Sequence, residues 1–243
     1  MTKCLALVTL FCSVTAIAFC QSGKGSNEGP ALEYARELYH KSLSDQAGIY
    51  SGPEYIGYPH PAKTGNQFFN SIDVSRGDIY YDGMQYKNVP LQYDLARNEV
   101  IVKHLDNFSQ ISLHNEKIRD FTVFDHHFIK MDEEASAKSG LPKGFYDQLY
   151  SGKSEVLVRR TKEFIITTDQ QGIWMSFFDE NKNIYLRKGT EYTPVSSRKS
   201  VLKALGKNEK EIQAHLKQSG IKFKNAREKA IVAMVAYYDK LNN

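Results

Sequence analysis

Between residues 77 and 195 apolar and polar side chains alternate with a period of two, the mark of strands that bury one face. The clearest unit is Ile79, Tyr81, Asp82-Gly83, Met84 and Tyr86. Asp-Gly supplies the two positive φ values of a tight type I′ turn. A two-residue loop pairs Tyr81 with Met84 and Ile79 with Tyr86. All four then share a face, with Tyr80 and Gln85 on the other. Leu91, Tyr93 and Leu95 alternate with Gln92 and Asp94, and Arg97-Asn98 turns the chain into 100–104. Asp106-Asn107 turns it again into Ile111 and Leu113. Further strands are expected over 121–129, 156–166, 174–178, 184–186 and 192–195, with Lys188-Gly189 as a turn. Roughly eight to ten short strands with short connections predict an antiparallel meander. A sheet that long curls into an open half-barrel or a barrel-like sheet.

The period becomes helical at both ends. After Pro30, Leu32, Ala35, Leu38 and Tyr39 recur at helical spacing until Gly48, which predicts an amphipathic helix. Toward the C-terminus three helices are expected. Val201, Leu202 and Leu205 lie in the first, stopped by Gly206. Asn208 with Glu211, a capping-box-like pair, opens the second, which carries Ile212 and Leu216 and stops at Gly220. Asn225 with Glu228 repeats the device before a stripe of Ile231, Met234, Val235, Tyr238 and Leu241. The fold class is therefore α+β. A curved antiparallel β-meander is combined with an N-terminal amphipathic helix and a C-terminal three-helix cap.

The first twenty residues belong to none of this. Lys3 followed by the apolar 5–11 run and the Ala18-Phe19-Cys20 site reads as a signal peptide cut before Gln21. Cleavage after Ala18 is nearly as good. Lipidation at Cys20 is disfavoured by the bulk of Phe19. The expected organisation is a signal peptide (1–20), a flexible leader (21–29), helix plus sheet (30–195) and a basic helical cap (196–243). All three cysteines, Cys4, Cys12 and Cys20, fall inside the signal. The exported chain would then hold no disulfide and depend on its core alone, which suits a bacterial envelope or periplasm better than animal secretion. At 243 residues, 41% hydrophobic and 25% charged, the chain is neither disordered throughout nor a rod. No apolar run after the signal reaches the roughly 18 residues of a membrane span.

Charge is uneven. From residue 196 onward there are eleven basic residues against four acidic ones. Solvated helix faces, docking on an acidic sheet, or contact with an anionic envelope surface all fit that excess. Nucleic acid fits poorly, because the cations are not interleaved with aromatics.

Candidate chemistry is sparse. Adjacent His126 and His127 point to opposite faces of a strand and cannot share an ion. His114 goes with Gln110 and Ser112 on the wet side, and His104 goes with Val100 and Val102 as a half-buried core histidine. Asp132, Glu133 and Glu134 read as a solvated turn, and no Gly-x-Ser-x-Gly elbow occurs. No catalytic residue, metal site or cofactor is assigned, and the chain is expected not to be an enzyme. The better lead is aromatic. Tyr50, Tyr55, Tyr58, Phe68 and Phe69 lie in chain rich in Gly and Pro, and Tyr80 faces away from the hairpin's apolar set. Exposed, such rings grip a sugar or a partner protein. Buried, they plug one end of the sheet.

Several stretches resemble a family of uncharacterised exported proteins of Gram-negative bacteria. They are Tyr-Ile-Gly-Tyr at 55–58, the 80–95 hairpin sequence from Tyr80 to Leu95, Gly-Phe-Tyr-Asp-Gln-Leu-Tyr-Ser-Gly-Lys at 144–153, and Ile-Lys-Phe-Lys-Asn-Ala-Arg-Glu-Lys-Ala at 221–230. The resemblance implies a bacterial exported setting and nothing about activity. The expected function is a non-catalytic binding or interaction module of the cell envelope, its partner an envelope protein, glycan or lipid. A carrier of an apolar ligand is the first alternative and needs a cavity of about 300 Å³ or more on the concave face. A hydrolase of envelope polymers is the second and needs two acids, or an acid and a histidine, in a cleft.

Overall fold

The computed structural model describes residues 48–58, 62–106 and 108–242, and before them Tyr34, Ala35 and Leu38. The predicted signal peptide and leader lie outside the described residues. Of the predicted N-terminal helix only Tyr34, Ala35 and Leu38 are described, and all three are helical.

Ten strands form one antiparallel sheet: β1 (Ser75–Tyr81), β2 (Met84–Asp94), β3 (Glu99–Lys103), β4 (Gln110–Ser112), β5 (Ile118–Val123), β6 (His126–Met131), β7 (Gly144–Ser151), β8 (Glu155–Thr168), β9 (Trp174–Lys188) and β10 (Glu191–Pro194). Four α-helices accompany them between residues 48 and 242: α1 (Glu133–Ser139), α2 (Arg198–Leu205), α3 (Glu209–Gln218) and α4 (Arg227–Leu241). The spatial order is β10-β9-β8-β7-β6-β5-β1-β2-β3-β4. Two meanders, β1 to β4 and β5 to β10, are thus joined through β1 and β5.

That order forces curvature. β4 and β5 have three strands between them, about 19 Å in a flat sheet. The link from Ser112 to Ile118 contains a 3₁₀ turn, Asn115–Lys117, and is too short to cross a flat sheet. The sheet curls instead. It curls far enough that Lys162 N, on β8, donates to Leu95 O at the end of β2, 3.2 Å away. The ladder is not closed, and β4 and β10 are its two ends.

Inside the curl the rings of Phe69, Tyr93, Phe121, Phe128 and Phe145 meet at centroid distances of 5.0 to 5.9 Å. Ile79, Leu91, Val100 and Val102 complete this cluster. Farther along, Val156, Val158, Ile184 and Leu186 of β8 and β9 share a second core with α2, α3 and α4. A smaller cluster of Met131, Leu141, Tyr146 and Leu157 also takes Ala135 of α1.

The Asp82-Gly83 hairpin has the expected register, Tyr81 with Met84 and Ile79 with Tyr86, and φ of 51° and 80° at its two turn residues. Other expectations are corrected. The stretch 121–129 is a hairpin, because Phe124 and Asp125 both adopt positive φ, 49° and 62°, without a glycine to announce it. Asp132 to Glu134 is not a turn. Asp132 caps α1, its side chain accepting from Ala135 N. The pieces at 174–178 and 184–186 are one strand, β9, and Gly144–Ser151, where no strand is expected, forms β7. Neither expected capping pair forms. Asn208 sits at φ 58° and makes no side-chain cap bond, and Glu228 turns away from its helix start toward Arg160. The capping box that does form is Ser197 with Ser200, opening α2. Gln92 and Asp94 are buried rather than wet, because the chain at 53–57 and 66–72 lies over them.

Candidate functional site

The outer face of β2, β3 and β4 carries Gln92, Asp94, Ile101, Lys103 and Gln110, the residues whose parity opposes the inner core. Two irregular segments wall this face. On one side residues 53–55 lie along β4, with Tyr55 N donating to Gln110 O at 2.7 Å and Ser112 N to Pro53 O at 2.9 Å. On the other, residues 67–69 run beside the end of β2, with Phe69 N donating to Tyr93 O and Leu95 N to Gln67 O. Between the walls lies an open groove of about 410 Å³.

Its base is a chain of amides. Gln110 Nε2 donates to Gln92 Oε1 at 2.7 Å, and Gln92 Nε2 donates to Ile72 O at 2.5 Å. Gln67 Nε2 donates to the Tyr55 hydroxyl, which donates to Asp94 Oδ2 at 2.8 Å. Gln92 is buried, while Gln67 and Gln110 each have a further N–H and a carbonyl oxygen to offer a ligand. Lys103 adds a cation at the groove. The rim is apolar. Ile72 is 63% exposed and Phe108 is 91% exposed.

Phe108 is presented, not stray. Asp106 Oδ1 accepts from Phe108 N and Ser109 N at 2.8 and 2.9 Å, and Oδ2 accepts from Ser109 Oγ at 2.8 Å. These donors, Ser109 N–H first, hold the Asp106 carboxyl well below the usual carboxylate range, and His104 lies 3.2 Å away. The backbone of Phe108 and Ser109 is thus tied to Asp106 while the Phe108 ring faces solvent.

The six aromatic candidates are divided among separate places. Tyr55 and Phe68 belong to the groove but are buried, tilted against each other at 6.2 Å and packed on Ile101. Burial pushes the Tyr55 hydroxyl far up, with Asp94 adding to it. Phe69 is in the inner core against Phe128 and His126. Tyr50 is half-buried with its ring edge to His104 at 4.9 Å, and burial raises its hydroxyl too. Tyr58 is wedged against Phe164 and Phe178, with the Arg97 guanidinium 4.4 Å from its ring centre. Tyr80 is covered by Arg119 at 3.5 Å. As a set these rings do not make an exposed patch. The groove's polar residues, Gln67, Gln92 and Gln110, and its exposed ring, Phe108, were not singled out by sequence. The signal available for Phe108 was an aromatic placed directly after the Asp106-Asn107 turn.

A second cluster links the sheet to α4. Asp147, 1% exposed, accepts through Oδ2 from Arg160 Nε and Nη2 at 2.8 and 2.6 Å, and His126 Nδ1 lies 2.8 Å from the same oxygen. Arg160 also forks onto Glu228 at 3.0 and 2.6 Å. Burial alone would lower the guanidinium; Glu228 and Asp147 outweigh it and hold it above its ordinary value. Phe69 roofs the pair, with Arg160 5.5 Å from its ring centre. The cluster is a latch between β7, β8 and α4 rather than an open cleft.

His126 and His127 diverge as expected, one to Asp147 and the other toward Gln148 and Asp120. Among the described residues no three His, Cys, Asp or Glu converge on a metal-sized site. The concave face is filled by the rings of the inner core. No family model, curated protein or solved structure matches this chain.

Proposed function

We propose that this chain is a non-catalytic, exported binding protein of the bacterial cell envelope, and that the groove on the outer face of β2 to β4 holds a segment of carbohydrate. The observation that carries this reading is Phe108. Its ring, 91% exposed, lines the groove beside the glutamine amides, and its backbone N–H is bonded to Asp106. A sugar offers both matching surfaces: an apolar ring face for the phenyl group, and hydroxyls that donate and accept as an amide does. An open groove suits a chain passing through better than a small enclosed ligand. Residues 1–20 would direct export to the periplasm or the cell surface.

Calorimetric titration with a panel of neutral and N-acetylated oligosaccharides tests the reading. Binding is expected for at least one member, and Phe108→Ala and Gln110→Ala should each weaken it at least about fivefold, the scale of one ring or one hydrogen-bonded contact. Thermal melting of Phe108→Ala should match the parent, since the ring packs on little. Failure of every oligosaccharide to bind, or unchanged affinity in Phe108→Ala, would contradict it.

A further inference from the structure

Six of the eleven basic side chains after residue 195 line two open grooves of about 490 and 510 Å³ that share the α3–α4 connection. Arg198, Lys217 and Lys222 line the first, and Lys182, Lys224, Arg227 and Lys229 line the second. Lys182 pairs with Glu180 at 3.3 Å. The other six form no ion pair among the described residues. The acids that could offset them are directed elsewhere. Both Glu228 oxygens accept from Arg160. Asp239 is 5% exposed and taken by Ser154 and Tyr150. Glu209 and Glu211 stand at the far end of α3, in its first turn. What is left is a positive face whose acids at the grooves are Glu180, paired with Lys182, and Glu228, which lines the second groove but is turned onto Arg160.

Two further features describe the matching partner. Along the connection, Ile221 and Phe223 alternate with Lys222 and Lys224; the apolar pair is half-buried in the groove wall and the lysines are exposed. Such interleaving of apolar and basic groups suits the boundary between lipid headgroups and acyl chains. The cations also come from β9, α2, α3, α4 and the connection, a spread surface rather than one track, and lack the stacking rings that single-stranded nucleic acid would use. Among the described residues no helix is long and apolar enough to cross a membrane.

We propose that this face binds peripherally to an anionic phospholipid surface, its lysines and arginines meeting lipid phosphates. The site is separate from the carbohydrate groove and stands or falls without it. Each cation lost near an anionic surface weakens attachment roughly fivefold.

Co-sedimentation of the full chain with vesicles of phosphatidylglycerol and phosphatidylcholine is the test. The chain should pellet with them in low salt, not with phosphatidylcholine alone, and should be released by about 0.5 M salt. Lys222→Glu, Lys224→Glu and Arg227→Glu together should weaken binding at least tenfold without changing the melting curve, as all three side chains are exposed. The triple Lys203→Glu, Lys207→Glu and Lys210→Glu makes the same charge change outside the grooves and should bind nearly as the parent does. No pelleting, equal loss from both triples, or full binding by the groove triple would overturn the proposal. So would tight binding of single-stranded DNA by a chain that ignores the vesicles.

Discussion

A methyl group added at Gly77 would meet the backbone oxygen of Thr122, on β5, at 1.9 Å. At Gly83 the same methyl would touch nothing within 4 Å, but the residue sits at φ +80°. The two glycines of one hairpin are therefore held by different forces. Gly83→Ala is expected to cost about 1 kcal/mol, the penalty of a side chain in left-handed backbone. Gly77→Ala should cost about 3 kcal/mol or more, because backbone must move. Urea denaturation of the two variants separates the cases, and equal costs would contradict this account. Arg160 carries a third kind of dependence. With Arg160→Leu, the buried Asp147 carboxyl is left with His126 as its remaining side-chain partner, a loss expected at about 3–5 kcal/mol in the same assay. Asp82 and Gly83 were legible because a type I′ turn is chosen by its own two residues. Asp147 was not, because its partners Arg160 and Glu228 lie on β8 and α4, and nothing local to β7 marks a buried acid.

Among the elements, legibility followed where the punctuation lay. α2 and α3 were readable from a run of buried residues ended by Gly206 and Gly220, both at positive φ. The strand expected over 156–166 is β8, a residue or two longer at each end. β9 is expected only in two pieces: its middle stretch, Asp-Glu-Asn-Lys-Asn at 179–183, looks like a loop, yet it pairs residue for residue with 159–163 of β8 as a two-stranded arm. An arm that leaves much of its surface to solvent has no need of alternation, so the period-two signal fades along it. Its end is apolar, with Ile166, Ile173 and Trp174 exposed and Asp169 closing the turn onto Gln171 N and Ile173 N. The 106–109 turn gives a prediction in pH. The Asp106 carboxyl is held below the ordinary value of about 3.9. Its support of the turn is thus fully present above that value and is lost only as pH falls through the lowered one. Amide shifts of Phe108 and Ser109 should stay in place through pH 4 and move only in stronger acid. Movement centred near 4 would show that the carboxylate is not engaged.

For the molecule as a whole, the alternating pattern implied one long antiparallel meander, and the structure has an antiparallel sheet built of two, β1 to β4 and β5 to β10. What the pattern did not disclose was that the chain returns after β4 to pair β5 with β1, which is what curls the sheet and fills its hollow with Tyr93, Phe121, Phe128 and Phe145. Strand order depends on distant pairing, and alternation is indifferent to it. The same curl explains the fate of the aromatic segment. Tyr55 and Phe68 pack on the outer face, Phe69 on the inner, and the ring left over the groove is Phe108, supplied by a turn between β3 and β4. The central claim is that this ring and the amides beneath it form a carbohydrate site. The most direct measurement is a titration of the isotope-labelled full chain with a mixture of short envelope oligosaccharides, followed by backbone and side-chain amide resonances. The account predicts saturable shifts confined to Phe108, Gln110, Gln92 and Gln67; shifts centred on Trp174 or on the 220–229 connection, or none at all, would contradict it.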